Sequence, residues 1–541
     1  MSTLSKYSRK EVASVRKHED VVVKNFMGGN SYRLSPLTTL RIVAASSIFG
    51  EPQYYRDGID AAKTIRNHTT LMEYSIFSSM LKDKRTAADV FTAAIDVALD
   101  FDFKGTLDLA LELRKDYFMR LNPSVIFVRA IEHENRVDFN AANPGYMKKI
   151  GKAIAIRPDD VTNQFDYFMY LNKSKNGLPS ILKRTWADTL ESFSRYQLNK
   201  YKGKSLIDLV RISHANNDDI NELMKTGTLI MPDEDRTWEQ LKSEGMSWEQ
   251  VLMTIDMPHM ALLRNLRGIF TEIKDREAAT EILSKLKAGV LRGKQFPFRY
   301  FSAYRAILNG GSCNHQGLIL DALEECLDIS VANMPKLTGR VACLSDNSGS
   351  AWGSMNSEYG TVSIAEIANL SSLITAAQAD EGEVGVFGDE LSLKAVSKRN
   401  GLLSQLEETS KRGKAQGGGT ENGIWLFWEK AIREKIHYDT VFIYSDMQAG
   451  HGGLYGKYAS DYTDFQFKST RYIDVLALVE KYRQTVNPKI NVFTVQVAGY
   501  DNSVLPENLY RGAILAGWTG KEPVFAKAVI DAWDQAEGIK K

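Results

Sequence analysis

From residue 35 to about 330, apolar residues recur at three- and four-residue spacing, as at Leu107, Ala110 and Leu111 or Leu182, Trp186 and Leu190. That period gives a helix one buried stripe. Few segments alternate with period two. Proline and glycine fall at the breaks, in Asn122-Pro123, Asn143-Pro144-Gly145, Gly177-Leu178-Pro179 and Met257-Pro258. Helix after helix without strands predicts a bundle or an α-solenoid. No fixed repeat period stands out, so any repeats are diverged.

After Pro335 the pattern changes. Short β-rich runs at Val341–Ser345, Glu383–Phe387, Thr440–Tyr444 and Ile490–Val497 alternate with helical spacing at Thr361–Ala379, Gly423–Lys435, Arg471–Tyr482 and Pro523–Trp533. This alternation predicts a parallel sheet covered by helices on both faces. Ligands of such sheets sit at the carboxyl ends of the strands. The organisation read from the chain is a polar N-terminal arm over 1–25, a helical part over 26–335 and an α/β part over 336–541.

Composition adds limits. The 541 residues are 43% hydrophobic and 25% charged, ordinary for a globular chain of two to four domains at about 100–200 residues each. Wholesale disorder and a disulfide scaffold are excluded. Three cysteines suit a reducing compartment. No run approaches 18 apolar residues, and the N-terminus lacks the apolar stretch of a secretory signal. We therefore expect a cytoplasmic protein without a membrane span. The formal net charge is +1; the part before Pro335 carries the positive excess, so an anionic partner belongs there.

Chemistry concentrates just after the first strand of the α/β part. Asp346-Asn347-Ser348-Gly349-Ser350 fits D-x-S-x-S, Gly417-Gly-Gly-Thr420 precedes a helix, and Asp446 ends the strand at 440–445. On a parallel sheet these three segments share the carboxyl edge. Carboxylates and hydroxyls are hard oxygen donors suited to Mg²⁺ or Mn²⁺. The plainer reading is that the Asp and Ser residues cap a helix. No Gly-Lys-Ser/Thr follows the glycine run, which argues against a P-loop. Ser348 lacks the G-x-S-x-G setting of a nucleophile. The set resembles the metal-ion-dependent adhesion site of von Willebrand factor A domains. The resemblance implies a divalent cation held by Asp346, Ser348, Ser350, Thr420 and Asp446.

From Leu178 to His214 seven basic residues face three acids, with Tyr196, Tyr201 and His214 interleaved. Cations neutralise phosphates and rings stack on unpaired bases; a solvated helix face is the bland alternative. The strings Leu178-Pro-Ser-Ile-Leu-Lys-Arg184, Asn199-Lys-Tyr-Lys202 and Asp208-Leu-Val-Arg-Ile-Ser-His214 resemble the TROVE module of the Ro autoantigen family. So do Phe26–Arg33, Leu262–Leu266 and the stretch from Gly293 to Arg305. A TROVE module followed by an A domain is the order of Ro proteins. The stretches 216–248 and 447–468 fit nothing in that pattern.

The resemblance implies a ring of HEAT-like helical repeats closed by a Rossmann-like A domain. It implies small Y-like non-coding RNA on the outer surface, and single-stranded ends of misfolded RNA in a central hole. It also implies a role in RNA quality control beside an exoribonuclease such as polynucleotide phosphorylase. On the resemblance, Lys183, Arg184, Lys200, Lys202, Arg211 and His214 belong to the outer RNA site. Arg264, Arg267 and Arg299 line the hole or contact phosphate. No catalytic constellation is evident, which points away from an enzyme. The alternative is a metal-dependent protein-interaction module that uses the A-domain site, with the helices as scaffold.

Overall fold

The structure is a computed structural model. It describes residues 21–24, 30–45, 87–172, 177–231, 236–349, 351–352, 363–419, 423–445, 447, 474–497, 502–517 and 520–538. The helical part runs α1 (Pro36–Ala45), α2 (Ala87–Phe101), α3 (Phe103–Lys115), α4 (Asn122–Glu132), α5 (Arg136–Ala142), α6 (Tyr146–Ile154), α7 (Pro158–Leu171) and α8 (Ser180–Leu190). It continues through α9 (Arg195–Lys200), α10 (Lys204–Ser213), α11 (Asp218–Thr226), α12 (Trp238–Ser243) and α13 (Trp248–Thr254). It ends with α14 (His259–Glu272), α15 (Arg276–Gly293), α16 (Pro297–Asn309) and α17 (Gln316–Val331).

The spacing that predicts these helices also sets their packing. Leu182, Trp186 and Leu190 of α8 are completely buried. The Trp186 indole donates to Gln164 Oε1 at 3.0 Å and meets Phe165 and Phe168 edge-on, which seats α8 on α7. Burying such side chains contributes about 1.5–3 kcal/mol each. Helices end where their capping groups say: Ser194, Asn217, Thr237, Ser247 and Asp275 each accept a first-turn backbone N–H.

The α/β part holds β3 (Leu337–Asp346), α18 (Ile364–Ala377), β4 (Ala379–Phe387), β5 (Leu391–Ala395), α19 (Leu402–Lys414), α20 (Gly423–Arg433) and β6 (Thr440–Ser445). Then come α21 (Val475–Thr485), β7 (Asn491–Gln496), β9 (Gly512–Ala516) and α22 (Glu522–Ala536). The strand order is β5-β4-β3-β6-β7-β9. All neighbours are parallel except β5, which folds back on β4 as a hairpin. Alternation along β3 decides its two faces. Val341 and Cys343 point into the core shared with α18 and the helical part, while Ala342 and Leu344 point into the core under α20 and α21. The four strands and four helices expected from the sequence are present; α19, β5 and β9 are additions.

The N-terminal segment adds a second sheet. β1 (Val22–Lys24) pairs with β2 (Asn30–Arg33), and β2 pairs with β8 (Asn502–Ser503) of the α/β part. Residues 22–24, within the segment read as an arm, are thus a strand of the Val-rich kind that suits one. Glu507 caps α1 from the α/β side. Its carboxylate accepts from the Ser35 N–H at 2.5 Å and from the Ser35 and Thr38 hydroxyls at 3.1 Å. At the other end α17 runs directly into β3, and Asp328 accepts the Leu402 N–H at 2.9 Å. The helical path therefore starts and ends on the α/β unit, which closes it into a ring.

One cation marks that closure. Lys521, 7% exposed, places its ammonium 4.0 Å from the Phe118 ring and 5.0 Å from the Phe296 ring. Phe118 follows α3 and Phe296 precedes α16, so the two ends of the helical part meet at one side chain. Burial lowers the lysine pKa to about 8, against the attraction of Asp116; the aromatic faces favour the charged form and oppose part of that cost. A folded pKa below the unfolded value of 10.5 means a penalty present in full below pH 8 and removed as pH rises toward 10.5. Lys521→Met is therefore expected to raise the melting temperature by a few degrees at pH 7. That gain over wild type should shrink to nothing as pH approaches 10.5. A gain that does not depend on pH would contradict the assignment.

Candidate nucleic-acid interface and oxygen-donor loop

The oxygen-donor loop begins where β3 ends. Asp346, Asn347 and Ser348 are each 1% exposed. Asp346 Oδ1 accepts the Ser348 N–H at 2.9 Å, and Oδ2 accepts the Ser445 hydroxyl at 2.7 Å. Ser445 ends β6, beside Asp346 across the register of β3 and β6. Asn347 fixes the turn: its amide bonds Asn369 of α18 in both directions, at 2.9 and 3.0 Å, and its N–H donates to Phe387 O at 2.8 Å. The glycine loop lies against it, with the Gly349 N–H donating to Gly418 O at 2.8 Å. That loop is held from below by Asp389, whose carboxylate accepts from Gly418 N and Gly419 N at 3.1 and 3.2 Å.

The first two segments expected at the sheet edge are thus together, and the third is flanked by Ser445. Ser348 and Ser445 thereby hold the Asp346 carboxylate at the sheet edge, where a carboxylate can also ligate a cation. The donor set fits a hard divalent ion. Ser350, Thr420 and Asp446 lie outside the described residues. Among the described residues no three His, Cys, Asp or Glu groups cluster as a metal site. Ser445 and Asp389 are positioning groups that sequence spacing did not single out.

The basic segment occupies α8, α9 and α10, with α10 packed on both α7 and α8. Its charges are not equivalent. Arg195 is engaged by Asp219 at 2.7 Å and Glu222 at 2.6 Å. The Arg195 hydrogen bond in turn holds the Glu222 carboxyl below its usual range. Lys200 binds Glu239 at 3.1 Å and the Tyr196 hydroxyl at 3.2 Å. Burial lowers its pKa, but these two partners together hold it above the ordinary lysine value. Lys202 donates to the Thr228 hydroxyl at 2.6 Å.

Arg184 and Lys204 are exposed and have no ion pair or hydrogen bond among the described residues. Lys183 is half-buried and likewise unpaired there. Arg211 is 68% exposed, and its only ion pair among the described residues is a loose one to Asp208 at 3.9 Å. Lys204 and Arg211 stand seven residues apart, on one stripe of α10. His214 caps that helix in the left-handed conformation, φ 60°, and is exposed. A left-handed histidine costs about 1–2 kcal/mol relative to ordinary helix geometry. His315 has a similar φ of 56° but spends its Nε2 on Lys274 O at 2.8 Å, whereas His214 has no such side-chain bond among the described residues.

Arg264 and Arg267 are exposed on α14, and Arg299 is exposed in the first turn of α16. α14 packs on α13, α15 and α16, and α8 on α6, α7 and α10, so these arginines belong to a different group of helices.

Comparison with known proteins gives a match to one family model over part of the chain and a likeness to a solved structure. Residues 222–315 match the TROVE domain. The matched segment holds α12 to α16 and covers most of the stretch 216–248 that the sequence strings left unplaced. Among solved structures, this chain is similar to the crystal structure of the Ro protein (RSR) of Deinococcus radiodurans. The TM-score is 0.57 over 81% of this chain and 93% of that one, at 16% identity. That likeness establishes the shared fold. No curated protein sequence matches. Among the described residues no helix is long and apolar enough to cross a membrane.

Proposed function

We propose that this protein is a non-catalytic RNA-binding protein of the Ro type. Small structured RNA of the Y-like class binds the surface of α8 to α10, and unpaired ends of misfolded RNA enter the ring. The observation that carries this reading is the set of unspent cations on α8 and α10, joined by the exposed His214, in a chain that carries a TROVE domain. Charge contacts to the backbone make no sequence demand, which suits a protein that sorts misfolded RNAs of many sequences. An exoribonuclease is the enzyme class expected to act on what the ring retains. The test is to purify the protein from its own host at low salt and sequence the RNA that accompanies it. One dominant small structured RNA is the expected result, and RNA-free protein would overturn the reading.

The oxygen-donor loop is proposed to hold Mg²⁺ or Mn²⁺ through Asp346, Ser348, Ser350, Thr420 and Asp446. This ion would present an open coordination position to an acidic group of a protein partner. Asp346→Asn keeps the side-chain shape and its acceptor oxygen for one bond but loses the charge. It is expected to weaken Mn²⁺ binding, read by calorimetry, at least a hundredfold, and to leave RNA affinity within about twofold. Equal loss of RNA binding would contradict the separation of the two sites.

A further inference from the structure

A cavity of about 630 Å³ opens between the chain leaving α13, residues 252–258, and one face of α15. Small-molecule sites usually measure roughly 300–1,000 Å³, so this is ample for one nucleotide. Two glycines of α15 that line it, Gly289 and Gly293, let the His259 ring lie against the helix backbone. A Cβ on Gly289 or Gly293 would come within 2.5 Å of that ring. His259 is held there by Tyr300, Nε2 to the hydroxyl at 2.7 Å, and burial lowers its pKa and favours the neutral ring.

The walls of the cavity differ in character. The floor is apolar, formed by Met257, Leu262 and Ile282. One wall is cationic. Lys285 and Arg292 stand seven residues apart on a single stripe of α15 with Ala288 between them. Lys285 meets Glu281 at 2.9 Å, but both side chains are more than 60% exposed, so that pair holds little. Arg292 has no ion pair or hydrogen bond among the described residues. The opposite wall carries the exposed carboxylate of Asp256.

An anionic end, a flat apolar middle and hydrogen-bond donors at the far end are the complement of these walls. We propose that the cavity holds one unpaired nucleotide, its phosphate on Arg292 and Lys285, its base on the apolar floor and its ribose hydroxyls or base amino group toward Asp256. The RNA reading enters only in the source of that nucleotide, because a free nucleoside monophosphate presents the same chemistry. An aliphatic acid would leave Asp256 without a donor.

The test uses the full-length chain, a fluorescent ten-nucleotide oligoadenylate followed by anisotropy, and AMP and inorganic phosphate as competitors. Arg292→Ala removes the charge. Ala288→Trp fills the space at an exposed position and leaves every charge in place. Lys294→Ala removes an equal charge just past the same helix, outside the cavity. Thermal melting checks that each variant folds. Arg292→Ala and Ala288→Trp are each expected to weaken oligoadenylate binding about tenfold or more, and Lys294→Ala by less than about twofold.

Competition by AMP but not by phosphate assigns the site to free nucleotides as well as strands. Binding of the oligonucleotide without AMP competition assigns it to strands alone. If Ala288→Trp binds like wild type, or Lys294→Ala loses as much as Arg292→Ala, the cavity assignment falls while the RNA reading stands. If the chain retains AMP, loses it in Ala288→Trp and binds no RNA, the RNA reading falls and the cavity stands.

Discussion

Reversing three charges at once, Arg184→Glu, Lys204→Glu and Arg211→Glu, is expected to lower affinity for a small structured RNA by about a thousandfold near 0.1 M salt. These are three exposed cations of the basic segment whose charge the protein leaves unspent or only loosely paired. Each phosphate deprived of its cation costs roughly tenfold in affinity, and each reversal adds repulsion. The same variant should flatten the dependence of log affinity on log salt by about one unit for each cation removed. Lys200→Glu is the instructive comparison. Lys200 is already committed to Glu239, so its reversal sets two carboxylates against each other and disturbs α9 against α12 more than it weakens RNA binding. Mobility-shift titration with thermal melting separates the two effects. Equal affinity losses for Lys200→Glu and for the triple variant would mean that local ion pairs do not decide which cations are available.

The second large effect concerns the ring itself. Arg114→Ala is expected to cost about 3–5 kcal/mol, a large share of a domain's stability of roughly 5–15 kcal/mol. Arg114 is 7% exposed and Asp160 fully buried. The guanidinium donates to Asp160 Oδ2 at 2.7 Å, to Ile154 O at 3.0 Å and to Met119 O at 3.3 Å. One side chain thereby ties α3 to the end of α6 and the start of α7. Its removal leaves a buried carboxylate without its cation and two carbonyls without a donor. Replacing both partners with apolar residues, Arg114→Met with Asp160→Leu, should recover only part of the loss. Asp160 also accepts the Ile156 and Arg157 N–H groups at 3.0 Å, and those would be stranded at about 1–3 kcal/mol each. Urea midpoints followed by circular dichroism measure the three proteins. A single variant within about 1 kcal/mol of wild type would contradict this account.

Much of the architecture was legible because it follows from local spacing. The α8 core residues repeat at the helical period, and the strands at 341, 383, 440 and 490 are short apolar runs between turn residues. What escaped had a weaker local signature. β5 is Leu391-Ser-Leu-Lys-Ala395, half-exposed at the sheet edge and too polar to read as a buried strand. β9 is a five-residue run after a turn. α19 is polar over most of its surface, and its buried stripe of Leu402, Gln405, Leu406, Thr409 and Gly413 holds only two large apolar residues.

The sites divide the same way. Donor types in order along the chain placed Asp346 at a sheet edge, because a parallel sheet gathers its loops there. The availability of each cation was not legible. Arg195 is neutralised by Asp219 and Glu222, and Lys200 by Glu239, across 24, 27 and 39 residues of sequence. A charge count over the segment includes both as free. Lys204 drew no separate attention, yet its seven-residue spacing from Arg211 puts both on one exposed stripe. The cavity beside His259 is lined by two glycines that meet a ring 30 or more residues away in sequence, and no local pattern announces it.

The central claim is that backbone charge contacts from the α8–α10 surface hold the RNA. The most direct test is the affinity of the wild-type chain for a small structured RNA, measured from about 50 to 200 mM salt. With some four phosphates neutralised, affinity is expected to fall about a hundredfold over that range, along a straight line in log–log form. An affinity that does not change with salt, or no binding at the lowest salt, would contradict the account.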